Sequence, residues 1–539
     1  MKLIYDVHDK PKFSELIVFA IQQLLAIMTA TLVVPVIIGN DMSPAAALVG
    51  AGVGTLVYLL FTKGKSPVFL GSSFAFIGSM LAAFAGATTV ALGYLGLLIG
   101  AVLAGLVYVM IAGAVKLAGV NWLNKLMPAV VIGPTVAIIG LSLAGNAVGD
   151  LQMGEVKRYY NPDDYQIVQV QLDNLKQMDN GDYLFGVNDS EGAVYVVMDK
   201  DVKLTQPVPA DKVHPEITVT VNSDGTKTLS SDCGSVYLAL LCGLVTLVVT
   251  VLAATYGKKM TRLIPFILGI LAGYTLAALL TVIGFATNLD ALKIVDFSYF
   301  TNLTAGGIGL STFFSVPDFT FLTALGAFDQ LDMAYIGTVA VAYIPVAFVV
   351  FAEHVADHKN ISSIIEKDLL EDPGLSRTLL GDGVGSMAGA LFGGCPNTTY
   401  GESVGCVAIT GNASVVTIFA AALMAIVIAF INPFVAFVNT IPPCVMGGVC
   451  VALYGFIAVS GLKMVQKVDL EQNKNLFVVS VILIAGIGGL TVSFGQIQVT
   501  AVAVALILGV LVNLLLKNAP ETTEEPAAIA EDTQDEISE

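Results

Sequence analysis

The chain has 539 residues, of which 56% are hydrophobic and only 12% charged, and its mean hydropathy is +0.82; this excludes an ordinary soluble globular protein. The net charge of −17 is local, since residues 150–232 carry 15 acids against 7 bases and residues 517–539 carry 8 acids against one lysine. The remainder is close to neutral, which excludes a basic nucleic-acid-binding surface.

The N-terminal MKLIYDVHDKPKFSE is polar, lacks a cleavable signal pattern and runs into an apolar segment, so the first span is expected to be retained. Apolar stretches long enough to cross or half-cross a bilayer follow near 13–37, 44–62, 66–84, 86–114, 122–148, 234–256, 260–287, 336–357, 375–394, 400–411, 413–436, 439–461, 473–493 and 497–516. The positive-inside rule tests this count of fourteen. With the N-terminus in the cytoplasm, alternation places every Lys and Arg outside the 150–232 insertion on the inner side, except Lys293. Both termini are then cytoplasmic and the insertion is external.

Two of these stretches are abnormal. FLGSSFAFIGSM (69–80) is interrupted by small polar residues, and NTTYGESVGCVAIT (397–410) is short and carries Glu402. They sit in matching places of two halves, the third and tenth segments. This is the pattern of an inverted-repeat transporter whose broken helices meet at mid-membrane; two kinked packing helices rich in small residues are the plainer alternative. Between the halves, YQIVQVQL (165–172), AVYVV (193–197) and EITVTV (216–221) alternate like strands, and Asp224-Gly225 supplies a hairpin turn. A small external β-rich domain is expected there, as a solvated elaboration. The acidic tail 517–539 has the composition of a disordered segment. The domain plan is therefore 1–149 for segments 1–5, 150–232 for the insertion, 233–516 for segments 6–14, and the tail. The six cysteines lie in or beside apolar stretches with no CxxC, as packed thiols rather than a metal site or a disulfide framework.

Chemistry concentrates at two places. In YIPVAFVVFAEHVADH, Glu353 and Asp357 are four residues apart and share a helix face. Glu353 stands in an unbroken apolar run, whereas His358 and Lys359 read as interfacial. The second place is Glu402. A carboxylate at membrane depth is costly and usually functional, and two in one dry pocket cannot both ionise cheaply, so one is expected to carry a proton. Backbone N–H groups near Ser73 and Phe74 would offer donors where a half-helix begins, and Phe74 and Tyr400 flat faces. Such a set suits a small planar heterocycle with alternating C=O and N–H groups, and suits an anion badly.

LGSSFAF (70–76), AEHV (352–355), PNTTYGE (396–402) and VMGG (445–448) resemble motifs of the nucleobase–ascorbate transporters, and within that family those of bacterial uracil permeases. The resemblance covers residues 13–516. It implies an all-α polytopic membrane protein of fourteen segments in two inverted seven-segment repeats, with core and gate domains, in the cell membrane. The implied activity is proton-coupled nucleobase uptake, with homodimers and with no cofactor beyond the co-transported proton. It further implies that Glu353 and Glu402 bind the base, that Phe74 is an aromatic wall, and that Gly401 with Tyr400 supplies a backbone contact. Ala30 and Tyr454 match residues beside the pocket. In the mechanism read from these residues, Glu353 takes the proton, with Asp357 as its helical neighbour.

There are departures. Gln22-Gln23 stands where the family has Gln-His, Asp357 where uracil permeases often have histidine, and Ser403 where the family signature has Asn. Glutamate at 402 favours uracil, while Asp357 and Ser403 keep a xanthine- or urate-type purine permease open. A sulfate-permease-like anion transporter is opposed by the paired glutamates and the short tail. An intramembrane enzyme is opposed by the absence of HExxH, and GDGVGS (381–386) fits neither an aspartyl-protease nor a dinucleotide motif.

Overall fold

A computed structural model describes residues 3–517 apart from short gaps, the longest 120–127, most others between 154 and 234, and the rest at 259, 306 and 495–496. The chain is mostly helical. Among the described residues, eight helices are long and apolar enough to cross a membrane and four shorter ones are apolar, so this is a multi-pass membrane protein. The acidic tail beyond Lys517 and the Asp224-Gly225 turn lie outside the described residues.

Two compact units divide the chain. The first comprises residues 1–144, 315–431 and 453–539. Its first helices are α1 (Phe13–Ile38) and α2 (Pro44–Phe61). The start of α2 is written locally: Pro44 opens it and the Ser43 side chain accepts from the Ala46 N–H at 3.2 Å. A three-residue strand β1 (Leu70–Ser72) precedes a single 3₁₀ turn over Phe74–Phe76 and the short α3 (Ile77–Ala85). Then come α4 (Val90–Ala118), capped by Thr89, and α5 (Ala129–Ser142).

The second unit comprises residues 145–314 and 432–452. It opens with most of α6 (Ala144–Gln152) and continues into six strands. These are β2 (Val156–Tyr160), β3 (Tyr165–Gln177), β4 (Tyr183–Val187), β5 (Ala193–Asp199), β6 (Ile217–Val221) and β7 (Lys227–Cys233). They form two antiparallel three-stranded sheets in the orders β2-β7-β6 and β4-β3-β5, with small cores around Val168, Val196 and Met198 and around Val197, Ile217 and Leu229. Helices α7 (Val236–Tyr256) and α8 (Pro265–Thr287) follow. They pack through Gly269 and Gly273 of α8, where an added β-carbon would meet the hydroxyls of Thr250 and Thr246. Only about a third of each helix is buried, 33% and 28% of their apolar windows, as expected of faces turned to lipid.

Back in the first unit, α9 (Met333–Ile365) begins at Asp332, whose carboxylate accepts from the Tyr335 N–H at 2.6 Å. Next are α10 (Leu375–Gly393), strand β8 (Asn397–Thr399), the short α11 (Gly401–Thr410) and α12 (Val415–Ile428). The second unit then takes α13 (Asn432–Asn439) and the start of α14 (Pro443–Val465). In the first unit again, α15 (Asn473–Ile487), the strand pair β9 (Val492–Phe494) and β10 (Ile497–Val499), and α16 (Ala501–Leu515) complete the described chain.

The all-α expectation for the membrane body needs amendment at two strand pairs, β9 with β10 and, nearer the acids, β1 with β8. Strands β1 and β8 pair antiparallel, Leu70 with Thr399, Gly71 with Thr398 and Ser72 with Asn397. Both interrupted segments thus run strand then helix, and they cross at their strands. Glycines bring this crossing against its neighbours, since a β-carbon on Gly71 would strike the Tyr400 ring. Helices α2 and α10 approach backbone to backbone at Gly50–Gly389 and Gly54–Gly385, and Asn397 Nδ2 donates to the Gly50 carbonyl at 2.9 Å. At the N-terminus, residues 4–7 lie along the chain leaving α11: Ile4 N–H donates to the Gly411 carbonyl at 2.7 Å and Ala413 N–H to the Tyr5 carbonyl at 2.9 Å.

Candidate functional site

The crossing of β1 and β8 places the starts of two half-helices in one region of the first unit. Gly401 opens α11, and its Ncap residue Tyr400 makes no side-chain cap, so the first-turn amides face outward with the positive end of the helix dipole. Gly401 is exposed although residues 393–400 before it are almost all buried. The crossing therefore opens at this point.

The acids converge here. Glu353 and Asp357 on α9 and Glu402 on α11 are each half-buried, and the Glu402 carboxylate lies close enough to act electrostatically on Glu353. Asp357 Oδ2 accepts from the Thr399 hydroxyl at 2.8 Å, and a β-carbon on Gly401 would stand 3.6 Å from Asp357 Oδ1. Strand β8 thus holds one acid while the helix behind it carries another. Phe74 is half-buried at the start of the other half-helix, and its ring meets that of Tyr454 edge-on at 6.3 Å. Ala30 on α1 is buried in the same apolar cluster as Tyr400, with Phe74 packed against it.

Two expected roles change. The Ser73 N–H is consumed by the Pro396 carbonyl at 2.9 Å because the strand pairing extends by one residue, so the donors on this side begin at Phe74. Tyr400 is buried, and its hydroxyl donates to the Ser72 carbonyl at 2.7 Å. Its ring lies over Gly71 and locks the crossing rather than offering a flat face.

Other partners were not foreseen from the sequence. Ser403 and Gln23, two of the departures noted above, touch each other. The Gln23 amide is hydrogen-bonded to the Ser403 hydroxyl and reaches its carbonyl at 3.4 Å, and the Phe69 N–H donates to Ser403 Oγ at 3.0 Å. This joins α1, the entry to β1 and α11 in one buried knot. His358, expected at the interface, is fully buried, because its partner Tyr58 comes from α2. Asp382 of the GDG run is also buried, against His354. The described cysteines, Cys242, Cys395, Cys406, Cys444 and Cys450, are buried, and the Cys233 side chain lies outside the described residues.

Among solved structures, the transmembrane domain of a cyanobacterial bicarbonate transporter, BicA, aligns over 95% of this chain and 99% of its own with a TM-score of 0.50 and 14% identity. The murine Slc26a9 anion transporter aligns over 94% of this chain and 69% of its own with a TM-score of 0.53 and 11% identity. At such identities these likenesses describe fold alone. Sequence relatives are much nearer. The uracil permease of Bacillus subtilis (strain 168) is 34% identical over 534 residues, 98% of each chain, and that of Escherichia coli (strain K12) is 30% identical over 513 residues, 95% of this chain and 93% of the other. The Permease family model for xanthine and uracil permeases matches residues 14–172 and 218–495. With that match spanning the crossed strands and both half-helices, the chain belongs to the nucleobase–ascorbate transporter family.

Proposed function

We propose that this protein is a secondary transporter that takes up a nucleobase, uracil first among the candidates, together with a proton. The observation that carries the reading is the gathering of Glu353, Asp357 and Glu402 at the exposed start of α11, with Phe74 at the start of the other half-helix. The carboxylates accept from ring N–H groups, the helix-start amides donate to ring carbonyls, and the Phe74 face stacks on the base. Three carboxylates this close cannot all be ionised without strong mutual repulsion, so the site takes up a proton, on Glu353, with Asp357 beside it. The similarity to uracil permeases supports the choice of base.

The wider reading follows the same line. Fourteen segments form two inverted repeats, and alternating access moves a core against a gate. Both termini are cytoplasmic, the 150–232 insertion is external, and the protein works in the cell membrane as a homodimer. Uptake of radiolabelled uracil into proteoliposomes under a proton gradient tests it. Glu353→Gln and Glu402→Ala should each remove most uptake, since a base left with an unmet buried N–H binds about 1–3 kcal/mol more weakly. Wild-type, pH-dependent uptake in both variants would refute the assignment. The purine reading is kept by Asp357 and Ser403, and thermal shift against uracil, xanthine, urate and sulfate separates it.

A further inference from the structure

Beside the acidic row of α9 lies a second row that the transport reading leaves without a role. Glu353 and Asp357 are four residues apart, and so are His354 and His358, so the histidines stand about 100° further round the helix. Both are fully buried, with rings stacked 4.0 Å apart at 27°. Each reaches a different neighbour. His354 Nδ1 lies 2.7 Å from Asp382 Oδ2 and its Nε2 3.0 Å from Thr378 Oγ1, both on α10. His358 Nε2 lies 2.7 Å from the Tyr58 hydroxyl of α2 and 3.5 Å from Ser66 Oγ, and its Nδ1 lies 2.8 Å from the His354 carbonyl.

Donors and acceptors fix most of the protons. A carbonyl only accepts, so His358 Nδ1 carries a hydrogen, while Nε2 shares a hydrogen bond with the Tyr58 hydroxyl, which also reaches Ser66 Oγ at 2.7 Å. The Thr378 hydroxyl donates to the Leu375 carbonyl at 3.1 Å, so His354 Nε2 must donate to the Thr378 oxygen. A single proton then lies between His354 Nδ1 and Asp382 Oδ2, and that pair is net neutral whichever atom holds it. The other titratable groups facing the row are Tyr108 of α4, whose ring meets that of His354 edge-on at 6.4 Å, and Glu353 and Asp357 on α9 itself.

We propose that His354 and His358 are positioning residues that set the direction in which Glu353 and Asp357 point. One anchors α9 to α10 and the other, a turn later, anchors it to α2, so together they fix the rotation of the helix. The need is physical. Helix α9 runs for 33 residues with Pro345 inside it, and a proline lacks the amide that would brace the preceding turn. Without side anchors, a rotation by one residue would exchange the acidic row for the histidine row. This inference rests on the transport reading above.

Full-length protein in proteoliposomes carries the test. His358→Leu fills the space but loses the anchor to α2, while His358→Gln keeps a group able to reach Tyr58. For the base that wild type takes up, His358→Leu should raise KM about tenfold with Vmax within about twofold, and should displace the pH profile of uptake. His358→Gln should recover much of the difference. A folded His358→Leu with wild-type KM and pH profile would overturn the proposal. So would equal losses of Vmax in both variants with KM unchanged, the mark of a merely structural role. Should His358→Leu not fold, Tyr58→Phe decides: a raised KM supports the anchor and an unchanged one overturns it. Failure of wild type to take up any nucleobase would instead remove the transport reading, and this inference with it.

Discussion

Ser403 sits one residue after the glutamate of the second half-helix, and its hydroxyl takes hydrogen bonds from the Phe69 N–H and the Gln23 amide. A buried hydroxyl with two partners from distant segments holds the first turn of α11 at a fixed distance from α1. Ser403→Ala and Gln23→Ala should each weaken base binding about three- to tenfold, the worth of one hydrogen bond near 1 kcal/mol. The double variant should be little worse than either single one, with a coupling of about 1 kcal/mol. Simple additivity, measured by thermal shift or equilibrium binding, would show that the contact does not act on the site. Glu353 and Glu402 were legible in the sequence because a carboxylate in an apolar run is too costly to be idle. The partners were not: Gln23 is 380 residues from Ser403, Tyr58 is 300 from His358, and Thr399 is 42 from Asp357. No local pattern encodes such distances, and the four-residue spacing of His354 and His358 was the one available hint.

At the scale of elements, the strand crossing decides where the half-helices start. Gly71 makes it possible, because its missing side chain admits the Tyr400 ring, and Thr31 Oγ1 would lie 2.9 Å from an added β-carbon. Gly71→Ala should lower stability by about 1–3 kcal/mol through overpacking, read as a fall in Tm of detergent-purified protein; Tyr400→Leu in the same chain should restore part of it. An unchanged Tm would mean that the crossing tolerates a side chain there. The sequence announced that segments 66–84 and 400–411 are interrupted, yet not how, since a three-residue strand is too short to show alternation. In the insertion, β3, β5 and β6 were visible because stretches of five to eight residues alternate, whereas VKRYY and YLFGV, which form β2 and β4, do not alternate. The end of β5 also carries a pH dependence. His214 at 2.9 Å, and then Lys212 at 2.7 Å, hold the Asp199 carboxyl below its usual range. A depressed folded value means that the stabilisation is present above the unfolded pKa and is lost as pH falls through the folded one. Hydrogen-exchange protection over residues 193–199, corrected for the intrinsic slowing of exchange in acid, should therefore fall once pH drops below the ordinary carboxylate range, and Asp199→Asn should flatten that response. An equally steep response in the variant would place the acid sensitivity elsewhere.

At the scale of the whole molecule, charge distribution carries the topology. The basic residues outside the insertion lie in stretches that alternation assigns to one side, with Lys293 the exception, and an orientation follows because such residues are retained in the cytoplasm. The N-terminal residues 4–7 lie along the chain leaving α11, and Lys367, in the loop after α9, is paired to Asp6 at 2.7 Å, so three stretches assigned to one side do meet there. The insertion is assigned to the opposite side, and its acidity of 15 acids against 7 bases presents no obstacle to export, because long acidic stretches cross largely regardless of charge. The described cysteines are buried, which leaves them poorly reachable by a large, charged maleimide and makes cysteine labelling a clean test. In intact cells, Lys212→Cys in the insertion should be modified by a membrane-impermeant maleimide, whereas Lys367→Cys and Lys517→Cys should react only after permeabilisation. Labelling of Lys517→Cys in intact cells would reverse the last span or the count before it. Labelling of Lys367→Cys as well would reverse the whole orientation, and would place the N-terminal contact with α11 on the outer face.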